Sequence, residues 1–196
     1  MNLTINTLFG KIESHVFDFR NNEDQRSAVV LQLEKLADSY KDQASLSLHI
    51  HTYEEQVNLP NLSISREQLW QAILCKAAQP QEFVPRIASS EICGEKRSDG
   101  FVRNIVLTET FERIGEDVYI STDAVLFRQH HPKQFVAINR LVERSGNLFV
   151  KGTYFDADAR THQQFMESAT SVLQLFREKI RNGKVAELFA KHYPMK

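Results

Sequence analysis

The stretch SISREQLWQAILCKAAQPQEFVP, Ser63 to Pro85, decides the fold, because it holds a helix, a stop and a stub in quick succession. Ser65 is a good N-cap, and Gln68 three residues on completes a capping box. Leu69, Ala72, Ile73 and Lys76 continue the helix, with Trp70 beside them. Pro80 has no N–H and disfavours a helical residue before it, so the helix is expected to stop near Gln79. The residues QEF make one more turn before Pro85 ends it. Upstream, HIHTYEEQVNL (49–59) alternates loosely and runs into PNLS, as a strand followed by a turn would.

Working outward toward the C-terminus, strand-like segments follow at about 87–96, 101–111, 118–130, 134–144 and 148–156. RSDG, RIGED, HHPK and RSGN separate them as turns, and such short connections argue for an antiparallel meander. A long helix then spans 162–181, with Thr161 and Gln164 as its capping box and Gly183 as its C-cap glycine. Its stripe is Phe165, Ala169, Val172, Leu173, Phe176 and Ile180. A short amphipathic tail, VAELFAKHY, precedes Pro194.

Toward the N-terminus, DQRSAVVLQLEKLADSY sets Val30, Leu33, Ala37 and Tyr40 at helical spacing. Leu3, Ile5, Leu8, Phe9, Ile12, Val16 and Phe17 supply a second, shorter helix before it, and KDQASLS serves as a linker. The division expected is a helical extension over 1–45 and a main domain over 49–196. The order strand, broken helix, antiparallel strands, long helix gives an α+β helix-grip fold. A curved antiparallel sheet wraps around the C-terminal helix, and the broken helix plugs one end.

Composition removes several classes of function. The 24 basic and 25 acidic residues nearly cancel without long like-charge runs, so no nucleic-acid footprint is present. No stretch approaches the ~20 apolar residues of a membrane span, and the start lacks the layout of a signal peptide. Cys75 and Cys93 form no CxxC, so a cytoplasmic protein with reduced thiols is expected. His49 with His51, and His130 with His131, lack third and fourth ligands at metal spacing. GxSxG, Walker-type and GxGxxG motifs are absent, and neither metal nor cofactor is called for.

From about residue 51 to 182 the chain resembles the AtaL-like family, small proteins of the START-like helix-grip (SRPBCC) superfamily. LSISREQLWQAILCKAAQPQEFVP, SDGFVRNIVL and the last strand VKGTYFDAD carry the resemblance. That strand departs from a regular apolar run at Gly152-Thr153-Tyr154. The resemblance implies a hydrophobic ligand held between sheet and long helix; some relatives across the superfamily act as polyketide cyclases or aromatases.

Phe165, Ala169, Val172 and Phe176 are the candidate apolar wall, against the plainer role of packing the sheet. Phe101, Arg103, Ile105, Leu107 and Glu109 share one strand face. Inward, Arg103 and Glu109 would need partners or a polar ligand; if Val102, Asn104, Val106 and Thr108 face the core, both charges lie in solvent. Tyr119, Asn139 and Tyr154 are further polar candidates for orienting a ligand.

Three functions stay open. The chain binds a small hydrophobic or aromatic molecule, or acts as a cyclase or aromatase with Glu109 or a tyrosine moving protons. Otherwise it is an interaction module, whose residues 1–45 meet a protein partner or a second copy.

Overall fold

The structure, a computed structural model, describes residues 5–40, 49–130, 135–156 and 162–193, with the side chains of 5–7 and 162–165 outside that description. The linker over 41–47, the Thr161–Gln164 capping box and most of the HHPK turn fall outside it.

Helix α3 (Arg66–Ala78) begins as its sequence dictates. Ser65 Oγ accepts from the Gln68 N–H at 3.1 Å, and Gln68 Oε1 accepts from the Ser65 N–H at 2.9 Å. It ends at Gln79, whose N–H reaches the Cys75 carbonyl, and Pro80 opens a single 3-10 turn, Pro80–Glu82. The break leaves the carbonyls of Lys76 and Ala77 without helical donors. Arg103 fills that place, as described below.

Seven antiparallel strands follow the order β1-β7-β6-β5-β4-β3-β2 in one curved sheet. They are β1 (His49–Gln56), β2 (Ile87–Arg97), β3 (Gly100–Leu107), β4 (Arg113–Ile120), β5 (Ala124–Gln129), β6 (Phe135–Arg144) and β7 (Asn147–Asp156). Two of the expected boundaries change. The segment 118–130 is the end of one strand and the whole of the next, because Ser121 turns the chain. Its N–H and hydroxyl engage the Ala124 carbonyl, and its Oγ accepts from the Ala124 N–H. RIGED is no turn but the start of β4; the turn lies over 108–112, between Leu107 and Arg113.

The concave face packs on α3, on α4 (His162–Arg181) and on α5 (Lys184–His192), in a core that includes Phe83, Val118, Val150 and Phe176. Gly183 joins α4 to α5 at φ +76, a left-handed conformation that suits glycine. The convex face is covered as well. Helices α1 (Ile5–Asn21) and α2 (Arg26–Tyr40) bury Leu8, Ile12, Val30 and Leu33 against Leu126, Val136, Ile138 and Phe155.

Buried charges fix that layer in place. Arg26 donates to the Ile120 carbonyl at 2.9 Å and pairs with Asp99 at 3.2 Å. Glu34 accepts from Arg140 at 3.2 Å and Lys151 at 3.1 Å. Among the described residues no helix is long and apolar enough to cross a membrane.

Candidate ligand-binding cavity

Between the concave face, the α3 break and α4 lies a cavity of about 240 Å³. Ile105, Leu107, Phe135, Ala137 and Val172 give it apolar walls, and Lys76, Arg103, Glu116, Gln129, Tyr53 and Tyr154 bring polar groups to it.

The first polar chain starts from register. Arg103 on β3 stands opposite Glu116 on β4. Its Nε and Nη2 donate to Glu116 Oε2 at 2.8 and 2.6 Å, and Gln129 Nε2 donates to Oε1 at 3.1 Å. Arg103 Nη1 donates to the Ala77 carbonyl and, at 3.3 Å, to that of Lys76. The guanidinium therefore satisfies the orphan carbonyls at the end of α3 and complements the helix dipole there. At 4% and 3% exposure, Arg103 and Glu116 are a buried ion pair whose every strong bond is made within the protein.

The second chain runs from Lys76. Its Nζ donates to Asn139 Oδ1 at 2.7 Å, and Asn139 Nδ2 donates to the Tyr154 hydroxyl at 3.1 Å. Tyr154 is in turn coupled to Tyr53, whose hydroxyl pKa burial raises, with Tyr154 adding to the shift. The two chains meet over Phe127, with Lys76 Nζ and Arg103 Cζ each 5.0 Å from the ring centroid.

Lys76 keeps some exposed area, but it faces the cavity within surrounding protein. Burial first and the Arg103 charge second bring its pKa down to about 7, with Glu116 opposing them. Among the described residues its one hydrogen bond goes to a neutral amide, and no carboxylate is in ion-pair range.

Of the residues expected from sequence to contact a ligand, Arg103, Tyr154, Ala169 and Val172 line the cavity, and Asn139 lies directly behind Lys76 and Tyr154. The Phe165 side chain lies outside the described residues. Three others are elsewhere. Glu109 sits beyond the end of β3, where the period of two no longer applies; its side chain is 73% exposed and faces Arg86 at 3.9 Å. Tyr119 points to the convex side, since β4 turns Ile114, Glu116, Val118 and Ile120 inward, and it meets Phe19 at 6.3 Å between rings. Phe176 is fully buried edge-on to Phe83, 5.3 Å away, off the cavity wall.

Lys76, Glu116, Gln129 and Tyr53 are cavity residues beyond those expected from sequence. For Lys76 the signal was a charge on the same helical stripe as Leu69, Ala72 and Ile73. For Glu116 it was the alternation Ile114, Glu116, Val118, Ile120, hidden by reading Gly115 as part of a turn. Gly152 explains the irregular last strand. It stands opposite Tyr53, and a Cβ there would run into the rings of Tyr53 and Tyr154. Among the described residues no three His, Cys, Asp or Glu side chains gather at metal-binding distance.

The family model AtaL, described as acetylaranotin biosynthesis cluster protein L, matches residues 51–184. None of the curated proteins compared with the chain matches it. Among similar solved structures is Ara h 8.0201, at 14% identity and TM-score 0.45, covering 68% of this chain and 99% of that one. An uncharacterised Bacillus thuringiensis protein matches at 17% identity and TM-score 0.46, over 68% of this chain and 98% of its own. A Chromobacterium violaceum protein does so at 9% and 0.46, over 67% and 96%. These overlaps are too loose to carry anything about ligands to this chain.

Proposed function

The chain belongs to the AtaL family, and on that footing we propose that it holds one small molecule with an apolar or aromatic body between the sheet and α4. The observation that supports this reading is the cavity itself, about 240 Å³ with apolar walls and a few convergent polar groups. It exceeds the ~150 Å³ that accommodates a benzene, so a one- or two-ring ligand is the size class. Lys76 has N–H donors to spare toward an acceptor oxygen on the ligand, while Arg103 and Glu116 satisfy each other and act as a fixed frame.

The cyclase or aromatase reading loses Glu109 as its acid or base, because that carboxylate is in solvent. The interaction-module reading loses most of the apolar stripes of α1 and α2, which are spent on the convex sheet face.

Native mass spectrometry of protein from its own source, followed by denaturation and extraction, tests the proposal. A stoichiometric small molecule released on unfolding is the expected result. A ligand at a hundred times its Kd adds about 2.7 kcal/mol of stability, and Val172→Trp, which fills the cavity, is expected to abolish that gain. A protein that no aromatic or lipid compound stabilises, or a Val172→Trp variant that responds as fully as the wild type, would overturn the reading.

A further inference from the structure

We propose that Lys76 is an attachment point for a carbonyl compound, so that an apolar aldehyde or ketone in the cavity condenses with its Nζ to form a reversible imine. The inference rests on the reading of the cavity as a ligand site and names the chemical class of its occupant.

The geometry separates Lys76 from an ordinary lysine. Its position on the apolar stripe of α3 brings the amine to the cavity rather than to solvent. A buried ammonium is normally paired with a carboxylate, whereas among the described residues Lys76 has only the Asn139 amide and the Phe127 ring. Beside it stands Arg103, a permanent cation that Glu116 and two α3 carbonyls hold in place. An amine desolvated next to a second cation is the arrangement that yields a neutral, nucleophilic lysine.

The surrounding elements agree. The charges acting on Lys76 are Arg103 from β3, which lowers its pKa, and Glu116 from β4, which opposes it more weakly; Arg86 and Asp156 also line the cavity. Gln129, Asn139 and Tyr154 offer neutral groups from β5, β6 and β7, and α4 contributes Ser168, Ala169 and Val172. With its pKa lowered to about 7, Lys76 is near half neutral at pH 7, while an exposed lysine is neutral in roughly one molecule in 2,500.

The step balances without any other reactant. The nitrogen lone pair adds to the carbonyl carbon, and the proton that the nitrogen sheds goes to the carbonyl oxygen. Water then leaves as the C=N bond forms. Hydrolysis reverses the sequence, so the attachment is transient unless the imine is reduced.

The test uses the full chain, 2-naphthaldehyde as a two-ring probe, and cyanoborohydride to trap the imine, read by intact mass and peptide mapping. One adduct per chain at Lys76 is expected, with a labelling rate that rises through pH 7 rather than near pH 10. It should disappear in Lys76→Arg and in Lys76→Gln, the second variant guarding against a misfolded first, and 2-naphthalenemethanol should suppress it. If the alcohol binds in the cavity but the aldehyde labels lysines indiscriminately, the imine is overturned and the ligand site stands. If neither compound binds, both readings fall. A Lys76 adduct that the alcohol does not suppress would also overturn the proposal, since attachment would then be independent of the cavity.

Discussion

Replacing Lys76 with methionine is expected to flatten the dependence of stability on pH between 6.5 and 8.5. In the folded chain Lys76 titrates at about 7, against 10.5 when unperturbed. Between those values the unfolded chain holds a proton that the folded chain lacks, so stability rises with pH. Integrating the two titrations from pH 6.5 to 8.5 gives about 1.4 proton-equivalents, or about 2 kcal/mol from this one residue. For a chain of this size that is roughly 4–8 °C in Tm.

Lys96, lowered to about 8, and His192, lowered by burial, contribute with the same sign. Cys75, raised to about 12, acts with the opposite sign and mainly above the window. All three persist in the variant, so subtracting its pH profile from the wild-type profile isolates Lys76. Losing the bond to Asn139 shifts the variant by a constant and leaves the slope alone. Urea unfolding at the two pH values, at matched ionic strength, is the assay. Parallel profiles for wild type and Lys76→Met would show that the amine is not held below its ordinary pKa, and the electrostatic account of the cavity would fail.

Other changes probe other parts of the structure. Arg103→Met strands the Glu116 carboxylate and the Lys76 and Ala77 carbonyls, at a cost of about 3–5 kcal/mol in urea unfolding. Adding Glu116→Leu should recover much of that loss, and a single variant within about 1 kcal/mol of wild type would refute the structural role of the Arg103–Glu116 pair. Gly152→Ala drives a methyl into the Tyr53 and Tyr154 rings, so a cost of about 1–3 kcal/mol and weakened binding of a fluorescent apolar probe are expected. Leu33→Ala, at a fully buried site, should lower stability by about 2–5 kcal/mol. It should do so within a single unfolding transition; a separate early transition seen by circular dichroism would mean that α1 and α2 unfold independently of the sheet.

What the sequence showed most clearly was local. The Ser65–Gln68 box and the Pro80 stop each depend on residues within four positions, and both stand where the residues put them. The inward face of β3 was not legible in the same way, because both of its faces carry apolar residues. Arg103 is drawn in by the Ala77 carbonyl, 26 positions away, and by Glu116 on the next strand. Lys76 stands out in sequence as a charge on an apolar stripe, but its role is not legible there, since its surroundings come from strands far along the chain. One clue to the convex layer was present: the run Ala124-Val125-Leu126-Phe127 is apolar on both faces, as a strand with cover on each side requires.

That cover bears on how a ligand comes and goes. A sheet wetted on its back can flex or splay to admit a guest, because only water must be rearranged behind it. Here splaying would pull Leu126, Val136, Ile138 and Phe155 from α1 and α2, and disturb the anchors at Arg26 and Glu34. The strands are thus the stiff wall of the chamber, and compliance is left to the helices on the concave side. Exit rates are expected to follow substitutions along α4 and to be insensitive to those on the outer faces of β5 and β6 that leave the fold intact, a contrast that stopped-flow displacement of a bound probe would measure.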